Sequence, residues 1–458
     1  MPRTLPVRPD LTQLKHQAKD LLRAHKQKDA SVCPVLRRLR RFAPLDDAGI
    51  LAQKPALHEA QYALAMEYGF ASWNALKRHV EKVTGRPSPV RREKNRTYVT
   101  GLEKHGIGCK DGHDNSVIAC IAGVMQAMGE EELTYEYLMG VSGAAFRVQM
   151  CEPVWCPSAA CAPCGYDCLP GAVAATGYRL RWIDTQRDGK WLDGGVREAL
   201  QAIPLSIDRG VPVIMAGKES GLVVGYHADS KLVVRPYEFH QDGYQDAEVF
   251  DSSGEVKWVF GDGKWDDWVW TVGIIEPADL PRDRRAAVAN SLRLAVKLAK
   301  TERFGRYLSG FAAIQYWIDG LLDDARFDLL TEENWFQMAH GNGFCYPCLW
   351  SARLSAEKYL RQVAGDFEVP IKSRLLALAG LYQRMHQTLA RTKPEFDCIW
   401  SLQPWMLKSP KNWTRAIRQK ESDLLREVLA IEREAVAKIE DLLPALEQQG
   451  AGKREGQS

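Results

Sequence analysis

The sequence predicts an α+β fold, a buried helix followed by a mostly antiparallel sheet, set between two α-helical regions. Three observations carry this. The run over residues 116–128 is apolar almost all round and stops at Gly129, the pattern of a helix buried on every face. Strand-like runs follow at 178–183, 211–216, 221–226, 231–237 and 268–275, most of them joined by short loops with Gly217, Gly221 and Gly225 as punctuation. Outside this stretch apolar residues recur every three or four positions, which is helical spacing.

Residues 1–83 predict a small helical domain. Leu11, Leu14, Ala18, Leu21 and Leu22 share one face of a helix over 9–28, and Leu57, Ala60, Leu64 and Ala65 share a face of a second that ends near Gly69. Ser72 is placed to cap a third, which carries Leu76 and Val80. Residues 84–96 hold Gly85, Pro87, Pro89 and five basic side chains with no hydrophobic period, and read as a linker. The α+β domain then occupies 97–277. A helical domain follows over 278–447, with helices near 286–300, 309–322, 352–363, 372–389 and 416–446. Residues 448–458 have the composition of a disordered tail.

A chain of 458 residues, 45% hydrophobic, exceeds one ordinary core and can fill two or three. No run of about 18 uncharged apolar residues exists to cross a membrane, and residues 1–13 lack the apolar core of a signal peptide. The eleven cysteines are therefore expected as thiols, catalytic groups or metal ligands in a cytoplasmic protein, not as disulfides. The net charge of +3 hides an asymmetry. Residues 1–95 carry 19 Lys and Arg against 9 Asp and Glu, about +10, which leaves about −7 for the rest. A basic region of this kind pairs with phosphates or carboxylates, or is simply a solvated helical surface. No nucleic-acid reading motif accompanies it, so nucleic acid is not an expected partner.

Chemistry is suggested where Asp114-Asn115-Ser116 leads into the buried helix. Free amide N–H groups and the helix dipole stabilise a thiolate or an oxyanion at such an end. Ser116 and Cys120 lie one turn apart on one face and are the candidate nucleophiles, with Asn115 as cap or oxyanion donor. Cys120 read alone is also an ordinary small core residue. Further along, Ser142-Gly143 offers close backbone approach, Arg147 is a lone cation in an apolar run, and Trp155 offers a stacking wall. Together they suggest a pocket for a small-molecule or peptide-like ligand, with internal pairing of Arg147 to Glu136 or Glu152 as the alternative.

The helix at 116–128, the segments Tyr135-Glu136-Tyr137-Leu138-Met139-Gly140 and Val141-Ser142-Gly143-Ala144-Ala145-Phe146-Arg147, and the later Gly221-Leu222-Val223-Val224-Gly225-Tyr226 resemble the N-terminal domain of butirosin-biosynthesis protein H. More distantly they are similar to the cysteine peptidases that process double-glycine bacteriocin leaders. The resemblance implies a papain-like fold over 97–277 and acyl or amide chemistry. The butirosin protein moves an aminoacyl group from a carrier protein to an aminoglycoside amine, so an acyl-carrier protein is an implied partner. Counting back from Gly129 and from Gly225, the family's Cys and His positions hold Ser116 and Glu219 here. A carboxylate of ordinary pKa activates a serine poorly. The expectation is thus that Ser116 or Cys120 recruits another base, such as His113 or His227, while Glu219 orients it or binds an amine. Otherwise the protein is a catalytically degenerate binding or sensing protein. Residues 1–83 resemble a small helical domain found at the front of bacterial proteins, some with ankyrin repeats, through Leu5-Pro6-Val7-Arg8-Pro9, Gln13-Leu14-Lys15 and Tyr68-Gly69-Phe70-Ala71-Ser72-Trp73. That implies a docking role and no chemistry.

Five cysteines, Cys151, Cys156, Cys161, Cys164 and Cys168, fall within 18 residues. Cys161-Ala162-Pro163-Cys164-Gly165 has the form of a zinc knuckle, which Cys156 and Cys168 would complete locally, or which Cys345 and Cys348 would complete from a turn ahead of a later helix. The same spacing fits a thiol redox pair or plain reduced thiols.

Overall fold

Helix Leu11–Lys26 begins where the Asp10 carboxylate accepts from the amides of Thr12 and Gln13, and Trp73–Thr84 begins where Ser72 Oγ accepts from the Ala75 amide at 3.0 Å. Between them lies Leu57–Glu67. One small core gathers Leu14, Ala18, Leu64, Tyr68, Leu76 and Val80; another gathers Val32, Leu36, Phe42 and Ile50. Neither draws on a residue beyond 80. Arg37, Arg38 and Arg41 pair with Asp47, Glu67 and Glu59, so part of this region's positive charge is answered within it. The computed structural model describes residues 5, 9–84, 89–188, 190–217, 219–229, 231–250, 256–259, 269–278, 282–331, 334–392 and 402–451.

The expected linker is partly strand. Val90–Arg92 pairs antiparallel with Arg96–Val99, which pairs in turn with Ser220–His227. The bland composition of 84–96 conceals this because an edge strand needs no apolar alternation of its own. The main sheet has nine strands among the described residues. Its order is Val256–Val259, Gln245–Phe250, Leu232–Arg235, Ser220–His227, Val213–Gly217, Val269–Glu276 and Arg179–Asp184, with the first two chain strands attached to Ser220–His227. Every pairing is antiparallel. The mixed helix and antiparallel-sheet content agrees with the α+β expectation.

Helix Ser116–Ala127 lies against the centre of this sheet. Gly123 allows the close approach: a Cβ there would sit 2.8 Å from His105 Nε2 and 2.9 Å from Leu222 Cδ1. An amphipathic helix, Asp193–Ile207, packs through Ala199, Ile203 and Ile207 into a separate core with Val213, Val223 and Val272. Its glycines and Pro204 hide it from a propensity reading.

The later helices are Arg284–Lys300, Gly310–Leu322, Trp335–Ala364, Ile371–Leu389 and Arg415–Ala451. Cys345 and Cys348 lie inside Trp335–Ala364, not in a turn ahead of a helix. Pro347 signals a break, because it has no N–H to give the carbonyl four residues back. That carbonyl, Gly343 O, accepts instead from the Gln403 side-chain amide at 2.6 Å, and the helix runs through. Ala451 still closes a helix, so the tail begins later than 448, and residues 452–458 lie outside the described set. The largest core includes residues from Tyr98 to Leu446, so these helices and the α+β region share one interior. Across it, buried Arg353 pairs with Glu432 at 2.9 Å and donates to the carbonyls of Ala145 and Arg147.

Candidate functional site

Ser116 is the first residue of its helix. Asn115 caps the end, its Oδ1 accepting from the Ile118 amide at 3.3 Å. The Asn115 main chain is fixed by its own N–H donating to Tyr135 Oη at 3.1 Å. Glu219 arrives from the tight turn between Val213–Gly217 and Ser220–His227. Ser116 Oγ donates to Glu219 Oε2 at 2.7 Å and accepts from the Ser220 amide at 3.0 Å. Those two bonds fix the hydroxyl rotamer, with its proton on the carboxylate side.

The carboxylate is no ordinary one. Burial pushes Glu219 up to about 7, the Ser116 hydroxyl opposing that rise and the nearby charges of Asp114 and Glu238 adding to it. The expectation that a serine–glutamate pair lacks a base of near-neutral pKa is therefore corrected: desolvation supplies it.

The other expected bases have partners of their own. His227 Nε2 sits 2.9 Å from Asp246, out on the sheet. His113 Nδ1 bonds the Gly106 carbonyl at 2.7 Å with its ring against Tyr135. Cys120 has no exposed surface, and burial drives its thiol well above the usual range, so it packs as a small core residue.

Of the expected pocket residues, Arg147 lines a cavity, the one beside the helix start, and the other three are packed in the interior. Ser142 is fully buried, its hydroxyl donating to the Met139 carbonyl, and Gly143 turns with φ +82° against Leu294. Trp155 is wholly buried beside Trp413, with Arg326 over its ring. Among the described residues Arg147 pairs with no carboxylate. Its guanidinium donates to the carbonyls of Ala160, Cys161, Ala162, Cys164 and Tyr166. These residues hold the interior together.

A cavity of about 50 Å³ does open beside the helix start, lined by Asp114, Asn115, Tyr135, Gln149, Cys348 and Ser351 among others. Asp114 was not singled out by the sequence. Both of its carboxyl oxygens are shut off from solvent, near Cys109 and Ser351 without a hydrogen bond of good geometry to either, and burial pushes the group up to about 6. Its only sequence signal is a carboxylate two residues ahead of a helix that has no polar face.

The four expected zinc ligands do not converge. Cys168 is buried, its thiol donating to the Ala162 carbonyl at 3.5 Å and facing the Asn115 amide at 3.9 Å. Cys156 lies by Ser158, and Cys345 points at the Cys156 carbonyl. Among the described residues no group of three or more His, Cys, Asp or Glu is arranged to hold a metal ion. None of the helices there is long and apolar enough to cross a membrane.

Fold and site together define an α+β protein with a serine–carboxylate pair at the N-terminus of a buried helix. No protein-family model matches the chain, and no curated protein matches it.

Proposed function

We propose that this chain performs acyl or amide transfer or hydrolysis on a small-molecule or peptide-like ligand, with Ser116 as nucleophile and Glu219 as general base in a papain-like domain. The observation that carries the reading is the 2.7 Å contact between the Ser116 hydroxyl and a carboxylate whose burial holds it near pKa 7. The likeness of residues 97–277 to butirosin-biosynthesis protein H supports it, since Ser116 and Glu219 stand at that family's nucleophile and base positions. A cytoplasmic setting and an acyl-carrier donor belong to the same proposal.

In this mechanism Ser116 Oγ bonds to the acyl carbon while its proton passes to Glu219 Oε2. The developing oxyanion faces the free amides of the helix's first turn. As the tetrahedral species collapses, the bond to the leaving group breaks and Glu219 returns the proton to it. Water or an amine then attacks the acyl-serine, with Glu219 again accepting and returning a proton.

A fluorophosphonate probe tests the reading. Wild-type protein is expected to be labelled at Ser116, Ser116→Ala not at all, and Glu219→Gln on the order of 10²–10⁴-fold more slowly. Labelling that is absent, or that survives Ser116→Ala, in protein of unchanged circular dichroism overturns it.

A further inference from the structure

The cysteine-rich loop holds a second set of chemistry-bearing side chains, with Cys161 within reach of the Glu219 charge. Five main-chain carbonyls between Ala160 and Tyr166 converge on the buried guanidinium of Arg147 at 2.7–3.4 Å. Gln149 ties the same loop, its Nε2 donating to the Cys164 carbonyl at 2.9 Å and its Oε1 accepting from the Tyr166 amide at 2.9 Å. Gly165, at φ +70°, lets the chain fold back over Gln149, since a Cβ there would lie 2.5 Å from the Gln149 amide nitrogen.

Inside this cradle the Cys164 amide donates to the Cys161 carbonyl at 3.2 Å, closing a turn. Such a turn brings its first and fourth Cα atoms within about 7 Å, and a disulfide spans roughly 4.4–6.8 Å. The Cys161 thiol hydrogen-bonds the Cys164 sulfur, which also lies near the Tyr307 hydroxyl and the Arg147 and Arg306 charges. Both sulfurs belong to partly exposed residues, unlike Cys151 and Cys168 in the same stretch. The Cys161 hydrogen bond above all, then Tyr307 and the two arginines, bring Cys164 down to about 6, while that same bond and burial push Cys161 up. That opposite pull suits Cys164 to the attacking role and Cys161 to the resolving one.

We propose that Cys161 and Cys164 form a redox-active dithiol that exchanges reversibly with low-molecular-weight disulfides. The Cys164 thiolate attacks one sulfur of the disulfide, forming a mixed disulfide and expelling one thiolate. Cys161 gives up its proton and attacks Cys164 Sγ, closing the Cys161–Cys164 bond and expelling the second thiolate. Two protein thiols are oxidised and one external disulfide is reduced to two thiols. The pair needs neither Ser116 nor Glu219.

The full chain is equilibrated with graded ratios of reduced to oxidised glutathione, quenched in acid, alkylated and mapped by peptide mass spectrometry. The expected result is a Cys161–Cys164 bond that forms over a narrow range of ratios and is undone by dithiothreitol. Iodoacetamide alkylation of Cys164 is expected to have a pH midpoint near 6, raised by more than about one unit in Cys161→Ala, where the thiol donor is removed. Absence of that bond at every ratio, or an unmoved midpoint in a folded Cys161→Ala or Cys161→Val protein, overturns the proposal. Should both variants misfold, the wild-type map alone decides it.

Discussion

Glu219 shows how one side chain's surroundings set its chemistry. Because burial lifts it to about 7, the fraction able to accept the Ser116 proton rises about tenfold per pH unit below that value and levels off above it. Rates of fluorophosphonate labelling between about pH 5 and 9 are expected to follow that curve, and a rate already flat at pH 5 would contradict it. Glu421 offers a stability counterpart distant from the chemistry. It is fully buried, and burial raises it from 4.5 to about 8. Between those values the unfolded chain has lost this proton while the folded chain keeps it. Stability therefore falls as pH rises, by at most about 1.4 kcal/mol per pH unit from this group. Glu421→Gln should flatten that part of the urea-midpoint profile. Neither carboxyl stands out as a letter in the sequence, because its neighbours come from distant segments, Ser116 for Glu219 and Asn342 for Glu421. The position of Ser116 was legible all the same, since Asn115 is a recognisable cap before an unbroken apolar run. Arg147 was legible as a cavity-lining cation but its partners were not, because they are main-chain carbonyls, which leave no residue-type signature.

At the scale of elements, periodicity located the long helices other than Asp193–Ile207 and the first half of Trp335–Ala364, and the five expected strands, to within a few residues; it missed short helices, edge strands, short strand pairs and the interior strand Gln245–Phe250. It failed where two local rules conflicted, as in Trp335–Ala364. There Pro347 argued for a turn, and only the distant Gln403 makes the continuous helix tolerable. That helix is also held by the buried Arg353–Glu432 pair. Removing one member strands a charge in the interior, so Arg353→Met is expected to lower stability by about 3–5 kcal/mol. Replacing both partners by apolar residues should recover much of the loss. Paired denaturation curves check this, and an additive double variant would show that the two side chains do not act on each other.

For the whole molecule, the distribution of cores predicts which pieces stand alone. The cores of the first 80 residues are their own, so a chain starting at residue 89 should fold and keep its Ser116 labelling within about twofold. Cutting at 277 should fail. Helix 116–127 and the segment 135–150 pack into a core completed by Trp317, Tyr346, Tyr359 and Leu429, and a piece without them exposes that interior. Sedimentation of a fragment spanning 89–277 distinguishes a soluble monomer, which would contradict this, from aggregate. The division at 277 looked natural in the sequence because helical spacing replaces strand spacing there, and spacing says nothing about which faces meet.

The path from Glu432 through Arg353 to the main chain of Arg147, and from its guanidinium to the sulfur-bearing loop, has a mechanical meaning. Helix 415–451 is a keel joined to that loop through two guanidinium groups. Prising the keel loose would unseat Arg353 first, and slack would then travel along the Arg147 backbone to Cys161 and Cys164. A disturbance at helix 415–451 would have a route to the thiols that bypasses the nine-stranded sheet.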